Sequence, residues 1–136
     1  MIRPICRDIF LLRQKSVPVS ETDLPVALDL LDTLKSHEEE CVGMAANMIG
    51  VSKRIIAVNI GMINMAMLNP VITKKSGEFV AEEGCLSLDG VRQTTRYRDI
   101  EVTYQDMDMK NQKRKFSGWT AQIIQHECDH LDGIII

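Results

Sequence analysis

At 136 residues, with 45% hydrophobic and 26% charged side chains, the chain has the size of one compact domain spanning 1–136 with a single core. A net charge of -3, with one dense basic stretch at Lys110 to Lys115, argues against direct nucleic-acid binding, which calls for a clustered basic face. No run approaches the roughly 18 apolar residues of a membrane span, and Met1-Ile2-Arg3-Pro4 lacks the apolar stretch of a secretory signal.

The expected setting is therefore the cytoplasm, without membrane attachment. There Cys6, Cys41, Cys85 and Cys128 stay reduced. Their irregular spacing points to free thiols and one metal ligand rather than to disulfides.

In chain order, the first 20 residues show no sustained period. Ser20-Glu21-Thr22-Asp23 supplies capping residues, Pro25 suits a first helical turn, and Leu24, Leu28, Leu31 and Leu34 follow helical spacing. This predicts an amphipathic helix to about Glu40, fraying at Glu38-Glu39-Glu40, whose charges oppose the helix dipole. His37 beside them reads as a solvated surface residue.

Short strands are predicted next, at Arg54 to Val58, Met65 to Leu68, Glu78 to Ala81 and Asp99 to Tyr104, broken by Asn59, Gly61, Asn64 and Pro70. Lys113 to Phe116 pairs with the last of these across a polar turn. A final helix over Gly118 to Leu131 is capped by Ser117 and closed by Gly133. The fold class is α+β: antiparallel strands packed around a C-terminal metal-binding helix, with an N-terminal helix.

That last helix carries His126-Glu127-Cys128-Asp129-His130. Histidines at i and i+4 share one helical face, about 6 Å apart, so both imidazoles can converge on one divalent ion. Glu127 lies about 100° round the helix, where its carboxylate reaches a water in the open position without ligating. An ordinary charged helix face is the competing explanation. Two of only three histidines in the chain occupy the two required positions, which weighs against it.

A catalytic site of this kind needs a third protein ligand. The six residues after His130 include no His, Glu or Cys, so the third ligand is sought upstream. Cys85, in Glu82-Glu83-Gly84-Cys85-Leu86-Ser87, is the best candidate. Gly84 allows close backbone approach, and the acidic neighbours can accept the spare N–H of a ligating imidazole.

Glu83-Gly84-Cys85-Leu86-Ser87 resembles the E-G-C-L-S motif of peptide deformylases, and Gln125-His126-Glu127-Cys128-Asp129-His130 resembles their Q-H-E-x-D-H. Cys41-Val42-Gly43-Met44-Ala45-Ala46-Asn47-Met48 partly matches their G-x-G-L-A-A-x-Q, and Leu68-Asn69-Pro70 resembles their I-N-P. The motifs fall in family order across nearly the whole chain. The resemblance implies the peptide deformylase fold and removal of the N-formyl group from the N-terminal methionine of nascent polypeptides. It also implies association with the ribosome and one divalent metal ion, usually Fe(II), with Zn(II) or Ni(II) accommodated.

By the same resemblance, Cys85, His126 and His130 hold the metal, Glu127 moves the proton, and the Leu86 backbone N–H helps hold the oxyanion. An N-formyl-methionyl peptide would add as a strand along Val42, Gly43 and Gly84. Trp119, Gln122 and Ile123 would border its methionine pocket, although Ile123 suits plain core packing equally well.

Three positions depart from the family pattern. Met48 stands for its Gln, an oxyanion donor; Cys41 stands for its first Gly; Gln122 stands where an apolar pocket residue is usual. A thioether cannot donate a hydrogen bond. The residues therefore leave three readings open: a working deformylase, a deformylase-like protein that keeps the metal with weak or no activity and binds peptide or metal, and a hydrolase of another small amide.

Overall fold

The computed structural model describes residues 1–85 and 88–134, without the side chains of Cys85, Leu88 and Asp89. Its regular elements are α1 (Ile9–Leu12), α2 (Leu24–Ser36), β1 (Gly43–Ala45), β2 (Ile55–Asn59), β3 (Asn64–Cys85), β4 (Leu88–Gln105), β5 (Asn111–Ser117) and α3 (Gly118–Leu131). The five strands form one antiparallel sheet in sequence order, with β1 at an edge.

β2 explains how the two principal helices are placed. Ile55, Ile56, Ala57 and Val58 are all fully buried, an unbroken apolar run that needs cover on both faces of the sheet. Side chains alternate along a strand. Ile55 and Ala57 accordingly pack with Leu30 and Leu34 of α2, while Ile56 and Val58 pack with Ile124 and Leu131 of α3. The sheet is thus sandwiched, with α3 sealed between β2, β4 and the segment after β1.

Several boundaries differ from those expected. α2 stops at Ser36, and His37 caps it while holding Glu40 through Nδ1 at 2.6 Å, an exposed local contact. Asp8 caps the unforeseen α1 by accepting from the Phe10 N–H. Ser117 precedes α3 by backbone position, yet its hydroxyl makes no capping bond.

The strands expected at Met65 to Leu68 and Glu78 to Ala81 are parts of one strand, β3. It passes Pro70 at a register shift between Leu68 and Val71, where no N–H is required of it. Asn69 there adopts φ 51°, and its side chain bonds the backbone of Val19 and the amide of Gln105. At the far end of the sheet, the Asp106 carboxylate organises the solvent-facing turn into β5 by accepting from the Asp108 and Lys110 N–H groups.

Candidate active site

α3 is buried on almost every side, including Ile123, Ile124, Gln125, His126, Glu127, Cys128 and His130. Polar residues there must be partnered. The Gln125 amide accepts from the Tyr97 N–H at 2.8 Å and donates to its carbonyl at 2.7 Å, beyond the point where β5 ends. This two-way pairing fixes the rotation of α3 against β4.

The lower end of α3 is held equally firmly. Asn47 donates to the His130 carbonyl at 2.8 Å, and Arg54 reaches the Leu131 carbonyl and Asp132. The Gly133 and Ile134 N–H groups bond back to His130 and Asp129, a Schellman closure with Gly133 at φ 76°.

His126, Glu127 and His130 come together on this helix, with one potential ligand atom from each lying within 4.8 Å of the others. The two imidazole centroids are 4.6 Å apart. His126 Nδ1 lies 2.7 Å from Oε1 of Glu83. Burial alone would raise the Glu83 carboxyl. The hydrogen bonds from His126, Arg96 and Gln122 outweigh it and hold Glu83 down at about 2. An ionised carboxylate only accepts, so His126 Nδ1 donates and its Nε2 keeps a lone pair for a ligand.

Arg96 completes this support. It is buried and grips Glu83 through Nε and Nη2, the latter at 2.6 Å, while Nη1 reaches Asp129 at 2.6 Å. Arg96 escaped the sequence reading because the strand register pairs Glu83 with Arg92, and the link to Arg96 is diagonal. The acidic neighbours of Cys85 were the available signal, and Glu83 is the one that reaches an imidazole.

Glu127 is buried, and among the described residues its Oε1 finds no hydrogen-bond partner, His130 Nδ1 standing off at 3.8 Å. Burial pushes its carboxyl up to about 7, against the opposing pull of His126. An orphaned carboxylate oxygen beside two imidazoles is a donor set that fits a divalent ion and its water. Gly43 explains the close packing here, since a Cβ on it would lie 2.6 Å from Ile123 Cγ2 and 2.9 Å from Glu127 Oε2.

A cleft of about 480 Å³ opens onto Glu127 and His126. Val42, Gly43, Met48, Gly84, Trp119, Gln122 and Ile123 all line it, below a rim that includes Glu38, Glu39, Glu40 and Glu82. Trp119 is 61% exposed, whereas Met48 is fully buried. Met48 Sδ accepts from the Ala45 N–H at 3.4 Å, and Asn47 turns away toward His130. Cys41 lines the same cleft, and its thiol donates to the Gly43 carbonyl at 2.9 Å. Cys85 closes β3 two residues after Glu83, but its side chain and all of Leu86 lie outside the described residues.

This arrangement can be set beside known proteins. The polypeptide deformylase family profile matches residues 4–136. A peptide deformylase of Clostridium beijerinckii is 54% identical over 136 residues, covering 100% of each chain. The Thermotoga maritima peptide deformylase crystal structure superposes with a TM-score of 0.89 at 29% identity, covering 99% of this chain and 95% of that one. A Met-Ala-Ser-bound class I type b peptide deformylase from Acinetobacter baumannii gives a TM-score of 0.88 at 30% identity, covering 99% and 97%. With the match running nearly end to end, the chain belongs to the polypeptide deformylase family.

Proposed function

We propose that the chain is a metal-dependent hydrolase that removes the N-formyl group from the N-terminal methionine of nascent polypeptides. The observation that carries this is the buried His126, Glu127 and His130 group, of which His126 and Glu127 line an open cleft beside an edge strand. The 54% identity with a peptide deformylase over the full chain favours turnover over the two alternative readings, metal retention without reaction and hydrolysis of another amide.

In this reading Cys85, His126 and His130 hold one divalent ion. A thiolate with two imidazoles suits Fe(II), which we assign, and also accommodates Zn(II) or Ni(II). The bound ion supplies Lewis acidity toward the formyl oxygen and makes water acidic enough to act as nucleophile near neutral pH.

The protein groups do the rest. Glu127 accepts the proton of the attacking water at its carboxylate and returns it to the departing amine nitrogen. The Leu86 N–H holds the charge that develops on the formyl oxygen. Val42, Gly43 and Gly84 offer backbone for the peptide to add as a strand, and β1, at the sheet edge, is open to such an addition. Trp119, Gln122 and Ile123 border the methionine side chain.

The proposed partner is an N-formyl-methionyl peptide presented as a nascent chain, with cytoplasmic location and ribosome association as part of this reading. Among the described residues no helix is long and apolar enough to cross a membrane. The test is formate release from formyl-Met-Ala-Ser by anaerobically prepared, Fe(II)-loaded protein. Release that stops when the ion is chelated supports the proposal; no release with the ion bound overturns it.

A further inference from the structure

Gln122 occupies two environments. Its side chain lines the cleft beside Trp119 and Ile123, and its Nε2 donates to Oε2 of Glu83 at 2.9 Å. Gln122 and His126 are four residues apart on α3, so they lie one above the other on a single face. The Glu83 carboxylate spans that gap, taking His126 on Oε1 and Gln122 on Oε2.

The remaining contacts on Glu83 are unevenly distributed. Oε1 receives Arg96 Nη2 at 2.6 Å as well as the imidazole. Among the described residues, Oε2 receives, besides Gln122, only Arg96 Nε at 3.0 Å, a hydrogen shared with Oε1 at 3.1 Å. Removing the amide would leave a buried anion with one well-supplied oxygen and one poorly supplied oxygen at the cleft wall. Its plane would then be free to rotate toward Arg96, carrying the acceptor of His126 Nδ1 with it. An apolar substrate side chain entering the cleft would make matters worse by stripping water from the bare oxygen.

We infer that Gln122 is a positioning residue. From the wall of the substrate cleft it pins the Glu83 carboxylate, and through Glu83 it holds the ring of His126 in its ligating orientation. The cleft wall and the ligand support are then one hydrogen-bonded unit. Filling the cleft covers an amide and leaves the carboxylate satisfied. The inference rests on the proposed role of His126 as a metal ligand.

The test uses Gln122→Met, which keeps length and flexibility without a donor, and Gln122→Leu as a second apolar variant. Gln122 is only half-buried in the native chain, so either replacement can be accommodated without unfolding it. The first readout is the rate at which Zn(II)-loaded protein surrenders zinc to a colorimetric chelator, which needs no turnover. Loss of such outer support typically costs 10–100-fold in metal affinity or activity. Both variants should therefore release zinc about 10-fold faster or more. Formate release should fall in kcat in step with the zinc result, separately from any change in KM that the altered pocket wall brings.

Zinc release within twofold of wild type, with the effect confined to KM, would make Gln122 a pocket wall only and overturn the inference. Wild-type protein that bound zinc but released no formate would instead overturn the proposed function. The chelation result would stand apart from it.

Discussion

Gly43 on the edge strand and Glu127 on α3 are packed so closely that a Cβ on Gly43 would lie 2.9 Å from the Glu127 carboxylate. The strand backbone is held by its pairing with β2, so the side chains of α3 must yield instead. Gly43→Ala is expected to displace Glu127 and Ile123 and to lower kcat by about 10²-fold, the usual effect of roughly 1 Å misplacement. Metal content should stay at the wild-type level. An alanine variant of full activity would show that Glu127 has slack that the packing denies.

Met48 is the sharpest departure from the family pattern. Its thioether accepts from the Ala45 N–H and faces the cleft, but it cannot donate to an oxygen that is gaining charge. A glutamine there can accept from Ala45 through its carbonyl while turning its NH₂ to the cleft. Met48→Gln is expected to raise kcat for formate release by up to about 10²-fold, the worth of one oxyanion donor. The gain should appear in kcat and leave KM near its present value.

Much of the site was legible from the sequence because helical spacing alone brings His126, Glu127 and His130 together. α3 was bounded correctly since Gly133 has to take a positive φ just past its end. The long β3 was not legible. Pro70 reads as a breaker, yet it sits at a register shift, and the strand runs on through Gly77 at φ 77°. Arg96 was invisible for a related reason. An arginine in an alternating strand looks solvated until the sheet register and the rotation of α3 place it between Glu83 and Asp129.

The closure of α3 yields a stability prediction. A Cβ on Gly133 would run into the carbonyl of Arg13, and φ 76° is already unfavourable for any other residue. The left-handed backbone alone costs about 1–2 kcal/mol. Gly133→Ala should therefore lower the midpoint of thermal unfolding clearly, with activity per folded molecule preserved. Unfolding followed by circular dichroism checks this.

The thiols should also differ. Cys128 is packed into the core against Ile124 and Leu131, and burial pushes its thiol up to about 12. Cys41 lies in the open cleft. Alkylation of the native metal-loaded protein, mapped by mass spectrometry, should modify Cys41 well before Cys128. Equal labelling in native conditions would mean that α3 opens readily.

Glu127 is assigned as proton carrier rather than as ligand. The deciding measurement is Glu127→Gln, assayed in parallel for formate release from formyl-Met-Ala-Ser and for bound metal. The account predicts unchanged metal content and loss of formate release by about 10²-fold or more, the lower end of what a positioned acid–base group contributes. Loss of the metal together with activity, or activity that survives the substitution, would contradict it.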